Sequence, residues 1–124
     1  MGRVILCAPR KKTTRNAQAT RVVNLLFTVG SPFNLDTGEI LGETIEEQTR
    51  QTMENIKATL AACGSSLDNL DKITVFISNR ESIPGMNEVY YSYFPVTTPV
   101  RSCVVAGFGT PKMMVEMEVT AHIE

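Results

Sequence analysis

A threonine and a glutamate three residues apart, Thr44 and Glu47, open one long amphipathic helix, and that helix constrains the fold more than any other segment. In Thr44-Ile45-Glu46-Glu47 the threonine hydroxyl can accept from the Glu47 N–H while the carboxylate reaches back, so two orphan backbone donors are satisfied together. Ile45, Thr49, Met53, Ile56 and Leu60 then recur at helical spacing until Gly64 supplies a stop. A helix with one such face needs a surface to bury it, and a sheet is expected from the segments around it. Residues 4–8 read as a short strand and residues 22–29 as a stronger one. Asn34-Leu35-Asp36-Thr37-Gly38-Glu39-Ile40 carries the Asp and Gly of a tight turn. Ile73, Val75 and Ile77 alternate with Thr74, Phe76 and Ser78, a strand buried on one face. A second helix follows Ser82-Ile83-Pro84-Gly85, with Met86, Val89, Tyr90, Tyr93 and Phe94 in period, and Pro95 closes it.

Two final strands complete the order. The expected architecture is an α+β domain over residues 1–124, a mixed β-sheet with two helices packed on one face. A sheet covered on one face leaves the other to be buried by another subunit.

Each final strand carries a charge where an apolar residue is the norm. Val100-Arg101-Ser102-Cys103-Val104-Val105-Ala106 is an apolar run with one guanidinium, and Val115-Glu116-Met117-Glu118-Val119-Thr120-Ala121 alternates with carboxylates on its second face. The connection Gly107-Phe108-Gly109-Thr110-Pro111 is short enough to make the two strands hairpin neighbours, which would let Arg101 and Glu116 face one cavity. An arginine fork suits a carboxylate ligand, and a partly desolvated glutamate can move a proton or hold a water. The alternative is a surface ion pair of Arg101 with Glu116 or Glu118, worth about 0–1 kcal/mol.

The remaining composition narrows the classes. No apolar run approaches the roughly 18 residues of a membrane helix, and the N-terminus lacks a signal-peptide core and cleavage site. Cys7, Cys63 and Cys103 are odd in number and widely separated, against a disulfide framework or a zinc site and in favour of a reducing, cytoplasmic setting. Net charge is −1, but residues 1–35 hold six bases (Arg3, Arg10, Lys11, Lys12, Arg15, Arg21) and no acid. Such a segment fits a solvated loop, a nucleic-acid arm or one wall of an anion site.

An ordered set of segments resembles the RidA/YjgF reactive intermediate deaminase family. It comprises Gly38-Glu39-Ile40, the stretch from Glu46 through Gln51-Thr52-Met53-Glu54-Asn55-Ile56 to Lys57, Thr74-Val75-Phe76-Ile77, Met86-Asn87-Glu88-Val89-Tyr90, Tyr93-Phe94-Pro95, Arg101-Ser102-Cys103-Val104 and Val115-Glu116-Met117-Glu118. The resemblance runs from about residue 20 to the C-terminus. It implies a chorismate-mutase-like homotrimer with ligand sites in clefts between subunits, hydrolysis of 2-imino acids to 2-oxo acids and ammonia, and no metal or organic cofactor. Residue by residue, it puts the carboxylate-binding arginine at Arg101, the catalytic acid at Glu116, and further substrate contacts at Cys103, Gly30 and Asn87.

Two departures from the family pattern stand out. Asn16 occupies the place of the site tyrosine, and Val29 the place of a serine. With Arg15 or Lys12 nearby, the altered wall points either to loop variation around the usual substrate or to longer or dicarboxylic imines.

Other signals are weaker. Asp36-Thr37-Gly38 spells the aspartic-protease triplet in a polar turn. His122, the one histidine, reads as an exposed strand residue without metal or triad partners. Tyr90, Tyr91, Tyr93 and Phe94 have the helical spacing of packing rather than base stacking. The alternative function is a ligand-binding or stress-response module, including RNA binding, endoribonuclease activity or translation inhibition; with basic charge confined to the N-terminal segment, nucleic acid is the less favoured partner.

Overall fold

The computed structural model describes residues 4–6 as backbone and residues 17–124 with their side chains. Helix α1 spans Ile45–Ala62 and begins as its capping box dictates. Thr44 Oγ1 accepts from the Glu47 N–H at 3.1 Å and Glu47 Oε1 accepts from the Thr44 N–H at 3.3 Å. At the other end Gly64 adopts a φ of 82°, and the N–H groups of Gly64 and Ser65 return to the carbonyls of Ala61 and Leu60 at 3.2 and 2.8 Å. A residue without Cβ enters that left-handed conformation at little steric cost, which is why the helix stops there.

The strands are β1 (Val4–Leu6), β2 (Ala19–Val22), β3 (Leu25–Gly30), β4 (Leu70–Ile77), β5 (Val100–Val105) and β6 (Val115–His122), with helix α2 at Ile83–Ser92. They form one sheet in the order β1-β2-β3-β6-β4-β5. All neighbours are antiparallel except β4 and β5, because α2 carries the chain back to the starting end of the sheet before β5 begins.

Two expectations need correction. Residues 22–29 are not one strand: Val22 pairs with Leu25 and the chain reverses through Val23-Asn24. That turn lacks a sequence signature, since Val23 takes a φ of 56° where glycine is usual. Nor are β5 and β6 hairpin neighbours. β4 lies between them, because the parallel crossover sets β5 on the outer edge and the connection after it spans two strand positions.

The register assigns the two faces. Ile73, Val75 and Ile77 of β4 lie beside Val119, Met117 and Val115 of β6, and all six are buried. They share a core with Leu26 of β3, Met53, Ile56 and Leu60 of α1, and Met86 and Tyr90 of α2. The opposite face presents Val22, Leu25, Phe27, Val29, Val100 and Val104, each between 39% and 69% exposed. Six large apolar side chains on one sheet face exceed the scattered exposure of ordinary surfaces.

Beside the apolar stripe of α1 runs a second buried stripe that is polar: Gln48, Thr52, Asn55 and Thr59. Thr52 bonds to the helix itself, its Oγ1 donating to the Gln48 carbonyl at 2.8 Å. Gln48 donates from Nε2 to the carbonyls of Gly42 at 3.2 Å and Lys112 at 3.0 Å, and its Oε1 accepts from the Met114 N–H at 2.8 Å. One fully buried amide thus ties the loop before α1 to the loop before β6.

Candidate active site

Arg101 sits opposite Ile73 in the β4–β5 register and therefore points to the helix-covered face. Three residues of α2 receive it there. Asn87 Oδ1 accepts from Arg101 Nη1 at 2.8 Å, and the guanidinium carbon lies 4.8 Å from the Tyr90 ring centre and 5.5 Å from that of Tyr91. Positions 87, 90 and 91 stand at i, i+3 and i+4, so one helix face makes the whole cradle. Arg101 is half-buried, and a planar guanidinium engaged through one nitrogen keeps further donors for a ligand. Tyr90 is fully buried, and its hydroxyl has no hydrogen-bond partner among the described residues. Burial pushes its pKa from 10.0 up to about 12, against the opposing pull of Arg101. Cys103, opposite Val75, is half-buried on the same face and packs against the core.

Glu116 lies on the other side. It pairs with Phe76 on the uncovered face, half-buried, and its Oε2 accepts from Ser31 Oγ at 3.2 Å. The helix fixes that hydroxyl from behind: Asn55 Nδ2 donates to the carbonyls of Ser31 at 2.8 Å and Phe33 at 2.7 Å, and Asn55 Oδ1 accepts from Gln51 Nε2 at 2.9 Å. Gly30 permits this approach, since a Cβ there would collide with the Ile56 side chain. A cavity of about 880 Å³ opens beside Glu116, lined also by Ser31, Asn55, Phe27, Val29, Leu35 and Glu118.

Sequence reading expected Arg101 and Glu116 to share one cavity within the chain. They do not: the cavity contains Glu116 and Ser31 but none of Arg101, Asn87 and Cys103. A direct ion pair of Arg101 with Glu116 or Glu118 within the chain is excluded by the same geometry. Gly30 abuts the Glu116 half through Ser31, while Asn87 and Cys103 belong to the Arg101 half. Asn16, with Arg15 and Lys12, lies outside the described residues.

Ser31, Asn55, Tyr90 and Tyr91 were not singled out as site residues from sequence. Their signals were present in the glycine-serine step that ends β3, in a polar stripe flanking the apolar one on α1, and in the spacing of Tyr90 and Tyr91 from Asn87. His122 is tied to Asp71, with Nδ1 2.9 Å from Oδ2. The Asp36-Thr37-Gly38 triplet is the expected turn, capped by Asn34 Oδ1, which accepts from the N–H groups of Asp36 at 2.8 Å and Thr37 at 3.1 Å. Among the described residues no helix is long and apolar enough to cross a membrane.

Residues 8–123 match the family model described as Endoribonuclease L-PSP. A RutC family protein of Pyrococcus abyssi is 38% identical over 109 residues, covering 87% of this chain and 86% of the relative. A crystal structure of YyfA from Yersinia pestis, of the conserved Rid protein family, superposes with a TM-score of 0.89 at 31% identity, covering 98% of this chain and 100% of that one. E. coli TdcF with bound serine superposes at 0.81 with 29% identity, covering 94% of each chain.

Proposed function

This chain belongs to the Endoribonuclease L-PSP family, which includes the RidA/YjgF proteins, and from that membership we propose that it hydrolyses reactive 2-imino acids to 2-oxo acids and ammonia. The observation that carries the reading is the separation of Arg101 and Glu116 onto opposite sheet faces, each in a prepared polar setting. A site using both is composed between copies, and the apolar uncovered face supplies the surface on which copies associate. The proposed assembly is a homotrimer of the chorismate-mutase-like type, working in the cytoplasm, with no metal or organic cofactor.

In the proposed mechanism Arg101 of one copy holds the substrate carboxylate by charge-assisted hydrogen bonds, each worth about 1.5–3 kcal/mol. Asn87 and the two tyrosine rings keep its fork oriented. Glu116 of a second copy, steadied by Ser31, positions a water against the imine carbon and takes its proton as the C–O bond forms. The same carboxyl passes that proton to the imine nitrogen to give a carbinolamine, then relays the carbinolamine hydroxyl proton to the amine as the C=O bond forms, the C–N bond breaks and ammonia leaves, a role typically worth about 10²- to 10⁴-fold in rate. Gly30 and the Cys103 main chain are proposed to border the substrate, and Asn16, at the position of the family's site tyrosine, is proposed from the resemblance alone as a further substrate contact. The serine bound in E. coli TdcF supports an amino-acid-like ligand carrying a carboxylate.

The family description also favours a second reading, cleavage of RNA. The test sets the two side by side. Imino acids generated in situ by an amino-acid oxidase should release ammonia and oxo acid faster with the protein present, whereas RNA should remain intact. Arg101→Ala should abolish the acceleration, and Glu116→Gln should slow turnover while leaving carboxylate binding. Full activity in a folded Arg101→Ala variant overturns the assignment.

A further inference from the structure

We infer that the site prefers 2-imino acids with a branched or aromatic apolar side chain over both iminopropanoate and dicarboxylic imines. The inference rests on the deaminase reading and specifies its substrate. Val29, where the family pattern has serine, lies on the uncovered face opposite Glu118, and Phe27 follows it on the same face opposite Thr120. Both side chains line the cavity that opens beside Glu116, at the edge of the apolar face on which copies are proposed to associate. Positions two apart on a strand span about 7 Å, room enough for an isobutyl or benzyl group to lie along them. Leu35 extends the same cavity wall beside Glu116. With the carboxylate drawn toward the Arg101 of a second copy and the imine carbon held at Glu116, the substrate side chain is left to lie along this wall.

The charges of the cavity point the same way. Glu118 stands two residues from Glu116 on the same face, and Lys72 is the one cation among the described lining residues. A second substrate carboxylate would meet like charge in a cavity too open to supply a compensating fork. Of the longer or dicarboxylic substrates suggested by the sequence, the charges of the described lining favour length without added charge.

The experiment compares kcat/KM for imines derived from alanine, leucine, phenylalanine and glutamate, each generated by an oxidase at matched flux. The leucine and phenylalanine imines should exceed the other two by about tenfold or more. Val29→Ser, and the shape-conserving Val29→Thr, should shrink that ratio, with sedimentation showing the assembly unchanged. Preference for the alanine or glutamate imine, or a ratio untouched by both variants, overturns the inference and leaves the deaminase reading standing. Absence of acceleration for all four imines overturns the deaminase reading and this inference with it.

Discussion

Arg101 and Glu116 point to opposite faces of one sheet, with β4 between their strands. No rotamer change brings two such side chains together, because the sheet itself and its buried core intervene. Any chemistry that needs both groups therefore depends on association, and mutations in the two residues should behave as lesions in separable halves.

Complementation tests this directly. Arg101→Ala homo-oligomers should be inactive and Glu116→Gln homo-oligomers strongly slowed, but co-refolding them in equal amounts should restore about a quarter of wild-type sites, since random assembly joins an intact arginine to an intact glutamate in that fraction. Mixtures that stay inactive although mass spectrometry shows mixed oligomers would place both groups in a site within one copy, against the geometry.

The aromatic cradle predicts a binding defect. Tyr91 is half exposed, so Tyr91→Leu should fold normally yet raise KM about three- to tenfold with kcat nearly unchanged, because a cation–π contact that orients the Arg101 fork is lost. Tyr91→Phe should restore the wild-type KM. Calorimetric titration with a 2-oxo acid checks the same ordering without turnover; equal affinities in all three proteins would reduce Tyr91 to a surface residue.

Tyr90 predicts an alkaline limit on stability. The folded state holds its proton more tightly, with the pKa raised from 10.0 to about 12 chiefly by burial. Its contribution is intact below pH 10 and is lost as pH rises toward 12. Tyr90→Phe should flatten that loss and, by removing a buried hydroxyl without a described partner, leave neutral-pH stability unchanged or higher by about 1 kcal/mol. Urea unfolding at pH 7 and pH 11 measures both; parallel pH slopes for the two proteins count against the assignment.

Gln48 predicts a structural defect remote from the sheet faces. Gln48→Leu keeps the volume but strands the Met114 N–H and the carbonyls of Gly42 and Lys112. The expected cost is about 2–4 kcal/mol, seen as a lower denaturant midpoint. A change under about 0.5 kcal/mol would mean that solvent satisfies those groups in its place.

The two helices, the alternating final strands and the resemblance to the RidA/YjgF proteins were readable directly, because capping and periodicity are local and each position reports its own environment. Thr44, Glu47 and Gly64 act within a few residues of themselves, and the structure keeps their roles. The buried polar stripe of Gln48 and Asn55 was not readable, since a polar residue beside an apolar stripe looks the same whether it meets water or a loop carbonyl. The Val23-Asn24 turn was hidden for a related reason: a β-branched residue at positive φ runs against local preference, and the pairing of β2 with β3 imposes it.

By itself, then, the chain's sequence determined which charged groups stand in strands as candidates for the chemistry, a lone guanidinium in one strand and a carboxylate in another. Only the tertiary structure decided on which side of the sheet each one points. Strand order depends on the α2 crossover that inserts β4 between β5 and β6, and facing depends on register parity, where a one-residue shift would exchange every side chain between the two faces.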